Sequence, residues 1–553
     1  MSVEVIIGID IGASGTGVAW SKRGTGEIKF LLWDETPDMV DSNQTILSRP
    51  RGVREWFKLD LDKGLEGVDK ARRPYASFME KLHEEISGRY ASEMLGKTPW
   101  EEARLHFLFS VPATWDAPTV EAFRDFASAA GFDSPCGHSL DIGLIESQAV
   151  AAFQLCCDEA TFRFEDFCLL EVQQDQSGQR YAVELQPASG NAIGSVYIDE
   201  GFEDKAKEAL QPLHPGSSPT VDYIAWNMRR SPAFQGAKYE FGVSQDPIPP
   251  FPLSDYMGDL EGPLQHEKFV FDRLDMKGLF DTQVRLLKQH IVRSASWLKG
   301  HRDSRNHIDY VLLSGGLGSS AYVKQEIEKV CANFGREEHK VTQVVTSDDP
   351  RLAVCRGLVH HALRGPDLFP QFPCRAAFGV LCGVPDSRWV EAKWKPILKR
   401  AKKKDLPKTK DSATGKELYQ FVDWFLTKDT MINNGKAIDY VRYADFPEKT
   451  PQDRIVNVEI MTSQEDNPSP FKKGEYRSPD LSLAVHLSRV DESAIERPRG
   501  PKGLFHKAMA EMHIRDSFVK VKFVIEAKIG PAHASFQSCE KTPGDTLSKK
   551  PIR

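Results

Sequence analysis

The feature that most constrains this chain lies near its start. An apolar run, Val5 to Ile9, ends on Asp10, and Gly12-Ala13-Ser14-Gly15-Thr16 leads into a second apolar run, Val18 to Trp20. The pattern predicts a strand, a glycine-rich turn and a returning strand. Glycines let such a turn bring backbone N–H groups close to a ligand, and Ser14 and Thr16 add hydroxyls. Phosphate oxygens suit that loop, and a carboxylate at the strand end holds Mg²⁺ through water. An ordinary hairpin has the same pattern, so the motifs further along the chain must decide between the two.

In "LHFLFSVPATWDAPTVEAFRDFASAAGF" a strand, Leu105 to Val111, runs into Pro112. Asp116 is placed to cap a helix with Pro118 in its first turn and Gly131 at its stop. In "GLIESQAVAAFQL" a short strand ends at Glu146, before a helix carrying Ala149, Val150, Ala152 and Phe153. A carboxylate at a helix N-terminus is favoured in its ionised form and is able to orient a water toward a γ-phosphate. Taken alone it reads as a surface cap. In "IDYVLLSGGLGSSAYVKQEIEKVCANFG" the strand Ile308–Leu313 meets Gly315-Gly316-Leu317-Gly318-Ser319, then a helix with Val323, Ile327, Val330 and Phe334 on one face. Strand, glycine turn and helix N-terminus form a nucleotide cradle. The segment Asp348 to Leu363 places Ala353, Gly357, Leu358 and Ala362 on a helix suited to close packing.

At 553 residues the chain exceeds one hydrophobic core and calls for at least two domains. Beyond Arg364, the β-like runs "YQFVDWFL", "RIVNVEIM" and "VKVKFVIEAKI" predict a β-rich C-terminal segment. A net charge of −7 argues against broad binding to nucleic acid. No apolar run reaches the roughly 18 residues of a membrane helix. The nine cysteines include no CxxC pair, which suggests neither zinc nor disulfides and a cytoplasmic, reducing home. The basic run Lys393–Lys410 has the composition of a nuclear signal or of a patch for an anionic partner. Short lysine runs need nothing beyond water, and the favoured reading is a solvated, mobile basic loop around Lys399–Lys410. The polar end after about Ser538 reads as frayed.

The order and spacing of these motifs resemble the DnaK-type heat-shock proteins (the heat shock protein 70 family, in its divergent fungal and animal branch), within the actin-like ATPase superfamily. The resemblance runs from about Val5 to Leu363. It implies an α/β, two-lobed actin-like (ribonuclease H-like) fold: residues 1–190 as lobe I, 191–350 as lobe II, 351–365 as a helix returning to lobe I, and 366–553 as the β-rich region with its basic loop. It implies ATP or ADP with Mg²⁺ as ligands and a client or partner protein, with no role for nucleic acid or membrane. Asp10 becomes the Mg²⁺-water ligand, Gly12 to Thr16 the phosphate turn, and Glu146 the residue that positions water. Gly315, Gly316, Gly318 and Ser319 would lie against the nucleoside, with Gly194 bordering the pocket and Lys238 flanking adenine.

One element of the family pattern is missing. Its second phosphate loop, Asp-x-Gly-Gly-Gly-Thr-x-Asp, belongs shortly after Glu146, yet no glycine occurs between Gly143 and Gly178. "FRFEDFCLLEVQ" stands there instead and suggests a hairpin turning at Glu165-Asp166. Either the grip is lost or a short coding segment has dropped out. The expectation is therefore an ATP-binding, chaperone-like protein with weak or absent hydrolysis. The alternatives are a nucleotide-free scaffold on the same fold and, behind it, a small-molecule kinase. The family's catalytic lysine has no clear counterpart; Lys70 and Lys97 qualify by position only.

Overall fold

In the computed structural model, Val5–Ile11 (β1) is buried throughout except for the half-buried Asp10. It pairs antiparallel with Thr16–Lys22 (β2), Asp10 opposite Gly17, so the expected strand, turn and returning strand are all present. Ile28–Phe30 (β3) extends one side. On the other, Leu105–Val111 (β4) runs parallel to β1, and Ser139–Ile145 (β5) parallel to β4. The sheet order is β3-β2-β1-β4-β5.

Two helices precede β4: the short Phe57–Leu61 (α1) and the long Leu65–Glu93 (α2). After β4 comes Ala117–Ala127 (α3), whose cap is the expected Asp116, accepting from the Thr119 N–H at 3.0 Å. Glu146–Cys157 (α4) follows β5 without a loop. The structure describes residues 5–13, 15–31, 47–49, 52–54, 57–94, 98–134, 137–157, 167–190, 193–212, 218–256, 266–301, 307–334, 341–347, 350–385, 392–404, 406, 408–410, 415, 417–447, 454–471, 481–487, 495–496 and 518–539. The chain divides into two compact units, Met1–Phe369 and Pro370–Arg553.

A second core in the first unit begins with the hairpin Phe167–Gln174 (β6) and Arg180–Ser189 (β7). It continues through Val196–Leu210 (α5), Ser218–Arg230 (α6), Pro232–Tyr239 (α7) and Arg273–His301 (α8). Tyr310–Leu313 (β8) and Gln343–Thr346 (β9) pair in parallel, with Ala321–Cys331 (α9) between them in sequence. Leu169 of β6, Phe202 of α5, Met228 of α6, Phe280 of α8 and Ile327 of α9 meet in this core. Each such side chain contributes roughly 1.5–3 kcal/mol on burial. The hairpin turns at Asp175–Gly178, where Gly178 has φ +86°. The turn expected at Glu165-Asp166 lies outside the described residues.

Ala353–Arg364 (α10) packs against β1, β2 and α4. A Cβ on Gly357 would lie 1.6 Å from the Ala149 carbonyl oxygen of α4, so only glycine allows these helices to touch. The α/β class holds, and the first unit carries a five-stranded mixed sheet covered by α10.

The second unit is β-rich, as its sequence predicts. Ala377–Pro385 (β10), Lys408–Lys410 (β11), Glu417–Leu426 (β12), Ile455–Ser463 (β14) and Leu481–His486 (β15) form a sheet ordered β11-β12-β10-β14-β15. Ile438–Pro447 (β13) pairs with Phe518–Ile529 (β17), whose other side takes Ile495–Glu496 (β16) and Ala534–Cys539 (β18). Residues 519, 521, 523 and 525 of β17 are all buried, the period-2 signature of a strand, and share one core with Phe378 and Val380 of β10.

The basic run corrects its expectation. Trp394–Lys403 (α11) is a helix, and Lys408–Lys410 is the edge strand β11. Trp394, Ile397, Leu398 and Ala401 recur at helical spacing and pack into the core of this unit. A window opened at Lys399 sees the charges and misses the apolar stripe upstream. Among the described residues, no helix is long and apolar enough to cross a membrane.

Candidate functional site

The C-terminal ends of the parallel strands β1, β4 and β5 supply Asp10, Ser110 and, directly after β5, Glu146. This is the end of such sheets at which ligands bind. Ser110 donates its hydroxyl to Asp10 Oδ1 at 3.1 Å. Lys58, on α1, donates its ammonium to Glu146 Oε1. Burial pushes the Asp10 carboxyl up, and the negative Glu146 adds to this, to about 6; Lys58 and Ser110 pull the other way. For Lys58, burial works to lower the pKa, but Glu146 and Asp10 outweigh it and hold the ammonium above its ordinary value. One cation thus serves two carboxylates.

Lys58 is not singled out by the sequence, where the lysine candidates are Lys70 and Lys97. Lys70 lies exposed on α2, and Lys97 is outside the described residues. In "EWFKLDLD" Phe57 and Leu61 are fully buried in the structure, which fixes α1 so that its lysine is drawn inward. The next turn adds Asp62, whose Oδ1 accepts from Thr114 Oγ1 at 2.8 Å and from Trp115 Nε1 at 2.9 Å. Burial raises its pKa against these donors and Lys58. The loop after β4 is therefore anchored on the α1–α2 corner.

The first glycine turn is tight, with the Gly12 N–H donating to the Gly15 carbonyl at 2.7 Å. Gly12, Ala13 and Gly15 are half-buried and Thr16 is buried, while Ser14 lies outside the described residues.

The second glycine set comes from the other core. Gly315 takes φ +73°, with open space where a Cβ would stand. A Cβ on Gly316 would meet Ser195 Oγ at 2.8 Å. The Gly194 N–H donates to Gln283 Oε1 at 3.1 Å, so Gly194–Ser195 and Gly315–Gly316 lie side by side. Gly318 is buried, and Ser319 turns its hydroxyl back to the Gly315 carbonyl at 2.7 Å. Lys238, on α7, holds its ammonium 2.6 Å from Asp199 Oδ1 of α5, with both side chains largely buried. That ion pair ties α7 to α5 and leaves the lysine's carbon stem as what it offers a ligand.

Three points tie the two sets together. A Cβ on Gly190 would lie 2.6 Å from Thr114 Cγ2. Burial, then the charge of Asp62, pushes Tyr197 up to about 12, which puts the start of α5 within electrostatic reach of the α1–α2 corner. Ser314 Oγ donates to the Pro350 carbonyl at 3.4 Å, and a Cβ on Gly17 would lie 3.4 Å from that of Arg351. Both glycine loops thus border the same Pro350–Arg351 segment.

A shallow groove along α8, lined by Lys277, Asp281, Lys288 and Glu326, shares none of this construction. Its charges pair with one another, Lys277 with Asp281 at 2.5 Å and Lys288 with Glu326 at 2.7 Å.

No protein-family profile matches the sequence, and no curated protein matches it. Among solved structures the chain is similar to the MamK double helical filament, at 13% identity and a TM-score of 0.34 over 65% of this chain and 98% of that one. It is also similar to MreB 5 of Spiroplasma citri bound to AMPPNP, at 12% identity and a TM-score of 0.33 over 65% and 95%. Likeness at that level decides neither ligand nor assembly, so the site is read from its own residues.

Proposed function

We propose that the first unit binds an adenine nucleotide, with its phosphates toward Asp10, Lys58 and the Gly12–Thr16 turn and its nucleoside against Gly194 and the Gly315–Ser319 turn. The observation that carries this reading is the convergence of Asp10, Ser110, Lys58 and Glu146 at the C-terminal ends of parallel strands. Two carboxylates against one buried ammonium leave the cluster net negative, so phosphates would enter it with their Mg²⁺ and not bare. The lobe division at residues 190, 350 and 365 belongs to the same reading.

By itself the donor set makes no metal cage: among the described residues, no group of three or more acidic, histidine or cysteine side chains converges to hold an ion. A Mg²⁺ carried on the nucleotide would therefore meet Asp10 through water. When bound, it would supply charge neutralisation on the phosphates. Ser110 holds the Asp10 carboxylate in place. Lys58 holds Glu146, and a water is oriented by Glu146 only when Lys58 moves its hydrogen bond to a phosphate oxygen.

That competition, together with the missing second phosphate loop, underlies the finer proposal: a heat-shock-chaperone-like nucleotide binder with weak or absent hydrolysis. Losing one electrostatic group from such a site costs about 2.7–4 kcal/mol in the barrier. Engagement of Glu146 by Lys58 favours the nucleotide-free scaffold as second reading, because the closed ion pair is self-sufficient.

Calorimetry with Mg-ATP and Mg-ADP tests the binding. Weak binding lost in Asp10→Ala supports the proposal, and no binding at millimolar nucleotide favours the scaffold. Single-turnover phosphate release tests the chemistry. Background release is expected, and fast release abolished by Glu146→Ala would overturn the weak-hydrolysis reading.

A further inference from the structure

Between Lys393 and Lys410 stand nine basic residues and one acidic residue, Asp405, in a chain whose net charge is −7. The fold carries this charge on a helix and on an edge strand that follow one another in the chain. Helix α11 buries Trp394, Leu398 and Ala401 and exposes Lys395, Lys399, Arg400, Lys402 and Lys403. Strand β11 follows with Lys408, Thr409 and Lys410 all exposed. Among the described residues, no ion-pair partner accompanies Lys395, Lys399 or Lys403. Arg400 and Lys404 lie over the Phe471 ring, at 5.6 and 5.4 Å.

A second, independent feature follows the helix after a few residues. Strand β11 is the terminal strand of its sheet; among the described residues it pairs only with β12, Lys408 opposite Tyr419 and Lys410 opposite Glu417. Its other edge presents backbone donors and acceptors. Lysines on an edge strand ordinarily keep other strands away, and for neutral or basic segments these do so. Toward an acidic strand the same lysines attract.

We infer that α11 and β11 form a docking surface for an extended acidic peptide segment, which adds to the β11 edge as a strand and sets its carboxylates against Lys410 and the lysines of α11. Main-chain pairing supplies part of the affinity, and alternate side chains supply the selection.

The construction disfavours the other polyanions. Single-stranded nucleic acid needs aromatic faces on which bases stack. The rings here, Trp394, Tyr419, Phe421 and Phe471, are all buried beneath the cations. An interfacial membrane helix needs its apolar face for the acyl boundary. That of α11 is committed to the core, with Trp394 stacked on Phe421 at 5.8 Å.

The test uses the full chain and three probes of equal charge: a peptide alternating Glu and Val, a single-stranded oligonucleotide, and phosphatidylserine vesicles. The peptide is expected to bind most tightly, to weaken about tenfold or more as salt rises from 50 to 200 mM, a rough range for multivalent charge pairing, and to slow amide exchange at Lys408–Lys410. Charge reversal in Lys395→Glu/Lys399→Glu/Lys403→Glu abolishes binding. The milder Lys399→Gln/Lys403→Gln pair weakens it with an unchanged melting temperature, which separates loss of the surface from loss of the fold. Tighter binding of the oligonucleotide or vesicles, peptide binding without protection of β11, or no binding of the peptide would each overturn the inference.

Discussion

The two sides of the candidate site are built on opposite principles. On the first, the proposed binding rests on charged side chains that compensate one another: Asp10, Lys58 and Glu146, with Ser110 as a neutral support. On the second, it sits in side chains that are absent, at Gly194, Gly315 and Gly316, with the neighbouring polar groups already bonded to each other. The first side is therefore sensitive to pH and to any change of charge, and the second to volume. On the proposed reading, a ligand joining the two brings Mg²⁺-neutralised phosphates to one end and a flat face to the other.

Removing the shared cation should break the first side most severely. Lys58→Ala leaves two carboxylates facing each other in a partly buried site, and a loss of about 3 kcal/mol is expected at pH 7.5. Urea denaturation measures it, and most of the loss should return at pH 5, where Asp10 takes a proton. An equal loss at both pH values would show that the lysine acts through packing alone.

The native charge set should also leave its own pH signature. The Asp10 pKa rises from 3.8 unfolded to about 6 folded, so the folded state binds the proton more tightly. Its contribution to stability is fully present below pH 3.8 and is lost as pH rises through about 6. Relative to Asp10→Asn, the protein should gain on the order of 2 kcal/mol between pH 7 and pH 4. A flat difference would mean that the carboxylate stays ionised beside Glu146.

The smallest effect sharpens the second side. Gly316→Ala forces the new Cβ against Ser195 Oγ and should cost about 1 kcal/mol at any pH. Adding Ser195→Gly should return most of it, as a thermal melt would show. No recovery would place the strain elsewhere.

The same contrast explains how much was legible in the sequence. Glycine turns announce themselves at Gly12–Thr16 and Gly315–Ser319, whereas Gly194 enters only through the family resemblance. Asp10 and Glu146 are legible because each ends an apolar strand. Lys58 is not. It belongs to a five-residue helix whose direction is set by Phe57 and Leu61 packing beneath it, and no local pattern distinguishes an inward lysine from a solvated one. The helix α11 is hidden differently, because the density of lysines masks the stripe of Trp394, Ile397, Leu398 and Ala401. The β-rich character of the second unit comes through because alternation in β17 needs no partner to be recognised.

The contact at Gly357 reaches beyond stability into the order of events during synthesis. Helix α10 covers β1 and α4, yet it leaves the ribosome after the whole second core has been made. At about 5–20 residues per second, the first sheet waits roughly ten to forty seconds for its missing cover. During that interval the apolar surface around Ala149 and Gly8 stands open in the nascent chain. That opening is a natural point of capture for folding factors, and a ribosome-stalled chain ending before Ala353 should remain protease-sensitive in its first sheet, whereas one extended past the exit tunnel beyond Arg364 should not.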